Sequence, residues 1–488
     1  MTVLKCWVPA FCGAVLGALG APCIVSAQQT LTLQEAIAIA QERSHQAEAA
    51  RAGREAARYR DRAFYSRQLP QLSLGGTLPG YNRSIIPVVQ PDGNTLFRPQ
   101  DQNNASLTAT MSQTVPLTGG DFFVSSSLAW LSVTGENGFR SWNSTPVSIG
   151  IRQPLLRSND IGWDRKEQPV RYEVTERAFR EAKEEIALGT VALFFDVHEA
   201  KVRLESATSN VAVNDTLYRL NQGRFNVGRI GENDLLQSEL ALLRARTSLD
   251  GARLAHMRSV AALKLGLNQA TPGDIDIVAP TGAPDVRPDT ARAVQEALRN
   301  RAVVTDAELQ ELQADRRVNE AKLNNGIGAT IVASFGLNAT GDEPSLAYQN
   351  LQEARRFEMG VQIPLVQWGA RKEGIQAAQF DKERIASTAA VTRENTAHEA
   401  HFAALQLDQT RRSLALSATA DTVAAKRFEV AYNRYVIGRI GIDNLYIAQN
   451  EKDQAKTQFV EALRQYWQAY YQLRRLTLFD FETGRAIP

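Results

Sequence analysis

The chain writes one glycine-bearing turn twice. Residues 224–235 read RFNVGRIGENDL and residues 434–445 read RYVIGRIGIDNL. Each copy lies between two stretches with helical character. Upstream of the first, between Pro169 and Gln222, the only breaker is Gly189; upstream of the second, 375–437 holds neither glycine nor proline. A helix of roughly 60 residues is on the order of 90 Å long, about three times the hydrocarbon thickness of a bilayer. These runs are too charged for lipid, so they must project through water. Downstream, 232–267 and 442–476 read as shorter helices. Gly228, Gly231, Gly438 and Gly441 can take φ > 0 and reverse the chain, so each dodecamer predicts the tip of an αα-hairpin.

The duplication reaches further. The helical stretch 31–67 has a counterpart in 290–323, with Gln-Glu-Ala at both 34–36 and 295–297. The order helix, strands, long helix, tip, shorter helix occurs twice, and self-similarity of this kind dictates the fold class. The join at 268–289 is rich in Pro, Gly and Asp and holds a candidate short strand, DIDIV at 274–278. After the second tip, positions 445, 448, 452, 455, 459, 462, 466, 469 and 473 form a heptad-like seam in which alternate residues are small. Leu235, Leu242, Ala245, Leu249, Ala252 and Leu263 match it after the first tip. The expectation is helices packed side by side in parallel register.

The first 27 residues differ from the rest. Lys5 is their only charge, an apolar stretch runs from Trp7 to Val25, and Val25-Ser26-Ala27 is a small-residue cleavage pattern; this reads as a secretory signal peptide. All three cysteines, Cys6, Cys12 and Cys23, fall inside it, so the exported chain has no disulfide or thiol chemistry. Pro22 directly before Cys23 fits poorly with lipid attachment there. Basic and acidic residues balance at 55 against 53, which argues against a nucleic-acid partner. No later apolar run reaches the ~18 residues of a membrane-spanning helix, which leaves a closed β-barrel as the one way through a bilayer.

Segments with a period of two lie between the helices. Leu72, Leu74 and Leu78 alternate with small polar residues, as do Leu107, Ala109, Met111 and Val115, then Val147, Ile149, Ile151 and Leu155. In the second half Ile331, Ala333, Phe335 and Leu337 face one way, and so do Phe357, Met359, Val361, Ile363 and Leu365. Each segment has the roughly 9–11 residues of a tilted transmembrane strand. A soluble β-sandwich would alternate in the same way. Long polar loops at 79–103 and 135–145, against the tight turn at 118–121, favour the outer-membrane asymmetry. The first half offers two strands more than the second, 106–115 and 122–133. So few strands cannot close a wide barrel, so several chains must contribute through rotational symmetry.

In combination LTLQEAIAIA at 31–40, Gln153-Pro154-Leu155, Ile363-Pro364-Leu365 and the two tips resemble the TolC family of outer-membrane efflux and secretion channels, over nearly the whole chain from Leu31 to about Gly484. The resemblance implies an α+β membrane protein: a homotrimer with one outer-membrane β-barrel continued by a long periplasmic α-helical barrel, built from two internal repeats. The implied parts are a signal peptide (1–27), a first repeat (28–267; strands in 70–156, tip 224–234), an equatorial linker (268–288), a second repeat (289–477; strands in 328–366, tip 434–444) and a C-terminal equatorial tail (478–488). It further implies a passive duct gated at its tips. The expected partners are outer-membrane lipid, a periplasmic adaptor (membrane fusion) protein, and an inner-membrane pump or ABC transporter, in tripartite efflux or type I secretion.

By the same resemblance Gly228 and Gly438 match the family's tip glycines, and Arg224 and Arg434 the arginines before them. With Val227, Arg229, Ile437 and Arg439 these make the expected docking surface. Asp443 and Asn444 occupy the place of the family's acidic constriction. Ile447 stands where a second acid is usual, and Asp234 and Glu232 offer acidity on the first hairpin instead. The extra hairpin is a departure too: inside the barrel it makes eighteen strands from three chains rather than the usual twelve. His398 and His401 are one helical turn apart without the spacing of a zinc hydrolase, and no phosphate loop, nucleophile elbow or catalytic dyad is present. Neither a cofactor nor a resident metal is expected. The competing reading is a soluble periplasmic adaptor or scaffold with coiled-coil hairpins and a β-domain.

Overall fold

The computed structural model describes residues 29–89, 92–135, 138–268, 275–280 and 282–487; the signal-peptide reading and Cys23 lie outside them. β1 (Gln29–Thr32) leads into α1 (Leu33–Arg43) and α2 (His45–Arg67). Four strands follow, β2 (Gln71–Val89), β3 (Thr95–Val115), β4 (Gly120–Thr134) and β5 (Phe139–Leu155), and then α3 (Asp160–Asn226) and α4 (Glu232–Gly266). The second half repeats the plan with β6 (Ile275–Val278), α5 (Thr290–Asn300), α6 (Ala302–Asn324), β7 (Gly328–Gly341), β8 (Gln352–Gln362), α7 (Ala370–Val436) and α8 (Ile442–Thr477). The DIDIV segment supplies β6, which pairs in parallel with β1 and ties the entries of the two halves together. The short strands β9 (Phe479–Asp480) and β10 (Arg485–Ala486) pair at the C-terminus.

α3 and α7 are 67 residues each, about 100 Å of continuous helix. α3 begins before the expected boundary and runs through Pro169. Asn159 fixes that start. Its Oδ1 accepts from the Gly162 N–H (2.9 Å), and its Nδ2 donates to the carbonyls of Pro116 (2.9 Å) and Leu117 (3.1 Å) in the β3–β4 turn.

The helix expected over 31–67 is broken at Ser44, whose Oγ accepts from the Ala47 N–H and caps α2. Its counterpart is broken at Arg301. The breaks let short helices stack end to end. The Asn268 amide donates to the Arg43 carbonyl (3.1 Å) where α4 meets the start of α2, and the Asn300 amide donates to the Thr477 carbonyl (3.0 Å) where α8 meets the start of α6. The layer is therefore four helices wide along its length, ordered α2–α3–α6–α7 near the strands and α4–α3–α8–α7 near the tips. Neighbours run antiparallel, not parallel, because each long helix turns back on its partner. The α8 seam is buried as its stepping predicts at Leu445, Ala448, Ala455, Ala462, Tyr466, Ala469 and Leu473, with Lys452 and Phe459 half-buried.

The largest apolar cluster forms at the stacking level, where Phe194, Phe195, Leu263, Tyr466 and Trp467 pack with Leu33, Ile37 and Ile277. Arg474 reaches into it to pair with Glu184 (3.1 Å), a carboxylate only 3% exposed. Burial works against the Arg474 charge, but Glu184 outweighs it and the guanidinium is held firmly protonated.

All six long strands join one antiparallel sheet, in the order β2–β3–β4–β5–β7–β8. The expected long loop at 79–103 is mostly a paired ribbon, Gly80–Val89 against Thr95–Asn104, and the one at 135–145 shrinks to a turn before Phe139. Polar composition suggested loops there. The backbone pairs regardless, so all strands except β8 exceed the expected length. Among the described residues β2 and β8 are left as open edges.

Candidate functional site: the helix tips and the strand wall

Both tips end their long helix in the same way. Gly228 and Gly438 sit at φ +70° and +76°. The Gly228 N–H donates to the Phe225 carbonyl and the Arg229 N–H to that of Arg224, both at 2.8 Å; Gly438 repeats this onto Tyr435 and Arg439 onto Arg434 at 2.9 and 2.8 Å. This pairing is a Schellman motif, which satisfies the last helical carbonyls and needs a left-handed residue. Gly231 and Gly441 do not share that conformation. They are extended N-caps of α4 and α8, at φ −81° and −74°, with no side-chain cap. Replacing Gly228 or Gly438 with Ala is expected to cost about 1–2 kcal/mol locally. Gly231→Asp, with open space around its Cβ, gains a few tenths by capping α4. Hydrogen exchange of the tip amides reads both.

The two hairpins are fastened to each other. Leu217 of α3 packs with Tyr435, Ile442 and Leu445 of the second hairpin in a small buried cluster. The Tyr435 hydroxyl donates to Oδ1 of fully buried Asn221 (2.7 Å). Arg224 donates to the carbonyls of Val436 (2.9 Å) and Tyr435 (3.3 Å), and its guanidinium lies 5.2 Å from the Tyr435 ring centroid. A cation from one hairpin thus caps the negative C-terminal end of the other's long helix. Burial pushes the nearby Tyr446 hydroxyl up to about 12.

Between the tips lies a cavity of about 430 Å³, lined in part by Arg224, Arg229, Asp234, Ile437, Gly438 and Asp443. These are the expected tip residues that the fold brings together. Val227, Gly228, Arg434, Arg439 and Asn444 lie outside the cavity and are exposed. Val227 and Ile437 present apolar surface at the apices, 69% and 65% exposed. Asp443 is exposed and accepts from the Gln237 amide of the first hairpin (2.6 Å); Asp234 is half-buried. Asn221, Tyr435 and Gln237 were not anticipated. The one sequence clue was the change from Phe225 to Tyr435 at matched positions, which adds a hydroxyl in need of a partner. His398 and His401 pack their rings against Phe402 on α7. Among the described residues no group of three or more His, Cys, Asp or Glu is placed to hold a metal.

At the other end, register places one continuous apolar face across the sheet. Leu72, Met111, Val124, Ile149 and Phe335 pair in sequence across five strands, and the next row holds Phe122, Ile151, Ala333 and Phe357. The opposite face is small and polar, as in the row Ser73–Thr110–Ser125–Ser148–Gly336. The apolar band runs obliquely. On β2 it covers Leu72 to Leu78 and gives way at Tyr81 and Arg83, which both engage Asp101. On β4 and β5 its upper limit is the Trp130–Trp142 pair, with ring centroids 6.2 Å apart. On β8 it starts only below Arg355, at Phe357.

Read on β3, that limit moves from the row of Asn103 to the row of Met111 across the sheet. This is about 26 Å along the strands against about 24 Å across them, an inclination of roughly 45–50°. Strands that cross a bilayer are inclined by about this angle.

No protein-family description and no curated protein matches the sequence. Solved structures do match. The Campylobacter jejuni CmeC outer membrane channel aligns with a TM-score of 0.67 at 14% identity, covering 93% of this chain and 86% of that one. The Vibrio cholerae outer membrane protein VceC aligns at 0.64 and 13%, covering 93% and 97%. The Neisseria gonorrhoeae MtrE outer membrane channel, solved in its open state, aligns at 0.64 and 14%, covering 93% and 90%. At such identities what is shared is architecture: the paired long hairpins and the strand wall of this chain have the fold of those outer membrane channel structures.

Proposed function

We propose that this chain is one subunit of a homotrimeric export duct of the TolC family, seated in the outer membrane by its strands and extending through the periplasm as a helical tunnel. The observation that carries the proposal is the pair of unfinished edges. Among the described residues β2 and β8 lack outer partners, and α4 and α7 are the flanking helices of the layer at the tips. α4 buries Leu242, Ala245 and Leu263 against its own hairpin but exposes Leu236, Leu240, Leu243, Leu254 and Met257 on its opposite face. α7 does the same with Phe402, Leu405, Leu416, Val423 and Val430. A helix that is apolar on two opposite faces is built to lie between two neighbours. Docking α4 and β2 of one copy on α7 and β8 of the next covers both edges at once, and three copies close the ring.

The oblique band favours this reading over the soluble adaptor, whose sheet has no lipid to meet. The fold supports a passive conduit, with a periplasmic adaptor at the tips and an inner-membrane pump or ABC transporter supplying the energy. Asp443 and Arg439 serve the gate in this reading: Asp443 fastens α8 to Gln237, and Arg439 projects from the second tip. In planar bilayers the purified protein is expected to show a low resting conductance. Arg439→Ala with Asp443→Ala raises it. An unchanged conductance in the double variant refutes the gating role, and absence of any channel refutes the duct.

A further inference from the structure

We infer that hairpin β3–β4 is part of the barrel wall, so that three copies enclose an eighteen-stranded outer-membrane portal wider than four strands per copy would give, and size selection falls to the tips. The inference rests on the trimeric duct proposed above.

The first argument is that the hairpin is part of the wall. β3 pairs with β2 over most of its length, from Thr95 to Ser112, and β4 pairs with β5 from Asp121 to Val133 with one bulge. Leu107, Met111, Phe122, Val124 and Leu128 continue the apolar face across it, interrupted at Gln113 and Ser126. The hairpin's turn is also fixed to the rim. Asn159, which caps α3, donates to the carbonyls of Pro116 and Leu117, and Gln153 donates to that of Thr118 (3.0 Å). Gly119 is held at φ +71° with Asn159 against its α-carbon. A hairpin folded over the mouth or against the helices would make none of these contacts.

The second argument is geometric. Each copy contributes four helices to the tunnel wall, about 32–40 Å of arc at ~8–10 Å per helix. Six strands spaced ~4.8 Å apart and inclined near 45° span about 41 Å, whereas four span about 27 Å. Six strands therefore give each copy about one and a half times the arc that four would. β3 and β4 are also removable as a pair without inverting the sheet. β2 and β5 are antiparallel, and the row through Leu72 reaches Ile149 by way of Met111 and Val124.

The test uses size-graded thiol reagents, since no cysteine follows Cys23. Ser334→Cys places one thiol on the polar face of the barrel. Maleimide-polyethylene glycols are added from the extracellular side to the full-length protein and to a variant in which residues 80–140 are replaced by Asn-Gly. Eighteen strands against twelve predict a labelling cut-off about one and a half times wider in the full-length protein. Equal cut-offs overturn the inference and leave the duct standing. Failure of even the smallest maleimide to label either protein overturns the duct itself. Should the shortened variant not assemble, electron-microscopic end views of the full-length protein decide: eighteen strands uphold the inference, and twelve with β3–β4 outside the ring overturn it.

Discussion

Leu243→Asp is expected to leave the protein monomeric. Leu243 is 53% exposed in the single chain, so the substitution removes little packing from the protomer and its helices should form as before. In the proposed trimer the same position meets the α7 seam of the next copy, at the level of Val423, itself 61% exposed. An uncompensated carboxylate buried against apolar side chains costs several kcal/mol, and the ring contains three such contacts. Mass measurement in detergent should show the trimer lost while far-ultraviolet circular dichroism is unchanged. Val423→Asp should behave alike, and Leu243→Asp combined with Val423→Lys should recover part of the trimer. A trimer of undiminished thermal stability in both single variants would remove the α4–α7 seam from the interface.

The second large effect is expected at Glu184. Its carboxylate accepts from Arg474 at 3.1 Å, and the guanidinium lies 5.3 and 5.7 Å from the rings of Tyr471 and Tyr470. Glu184→Ala leaves the Arg474 cation between α3 and α8 with Asp480 (3.5 Å) as its remaining carboxylate partner, which is expected to cost up to about 3 kcal/mol. Amide exchange should accelerate in both helices at that level and leave the tips untouched. Pairing Glu184→Ala with Arg474→Met removes the under-paired cation, leaves Asp480 to the Tyr470 hydroxyl (2.9 Å), and should restore part of the loss. If the single variant exchanges like the parent, the pair is not holding the two repeats together.

The sequence revealed most where a pattern had a single physical solution. Two dodecamers with glycine at matched places permit little besides two hairpin tips, and Gly228 and Gly438 take the left-handed conformation in each. Alternation through Leu72, Met111, Ile149, Phe335 and Phe357 implied one shared face, and the register supplies it. Strand ends were legible only in part. The ribbon around Tyr81 and Arg83 looked like loop because its side chains are polar, whereas backbone pairing ignores side-chain polarity. The breaks at Ser44 and Arg301 were hidden because neither is a glycine or a proline. The tip fastening through Asn221, Tyr435 and Arg224 joins residues far apart in the chain, and no local period records such a pairing.

The end-to-end stacking of α4 on α2 and of α8 on α6 has a mechanical consequence. Above and below that level four helices carry load along the wall, but at the joint only α3 and α7 are unbroken. Flexing of the wall should therefore concentrate there, as in a mast spliced at mid-height. The densest cluster of rings and the Arg474–Glu184 pair sit where such a splice needs its collar.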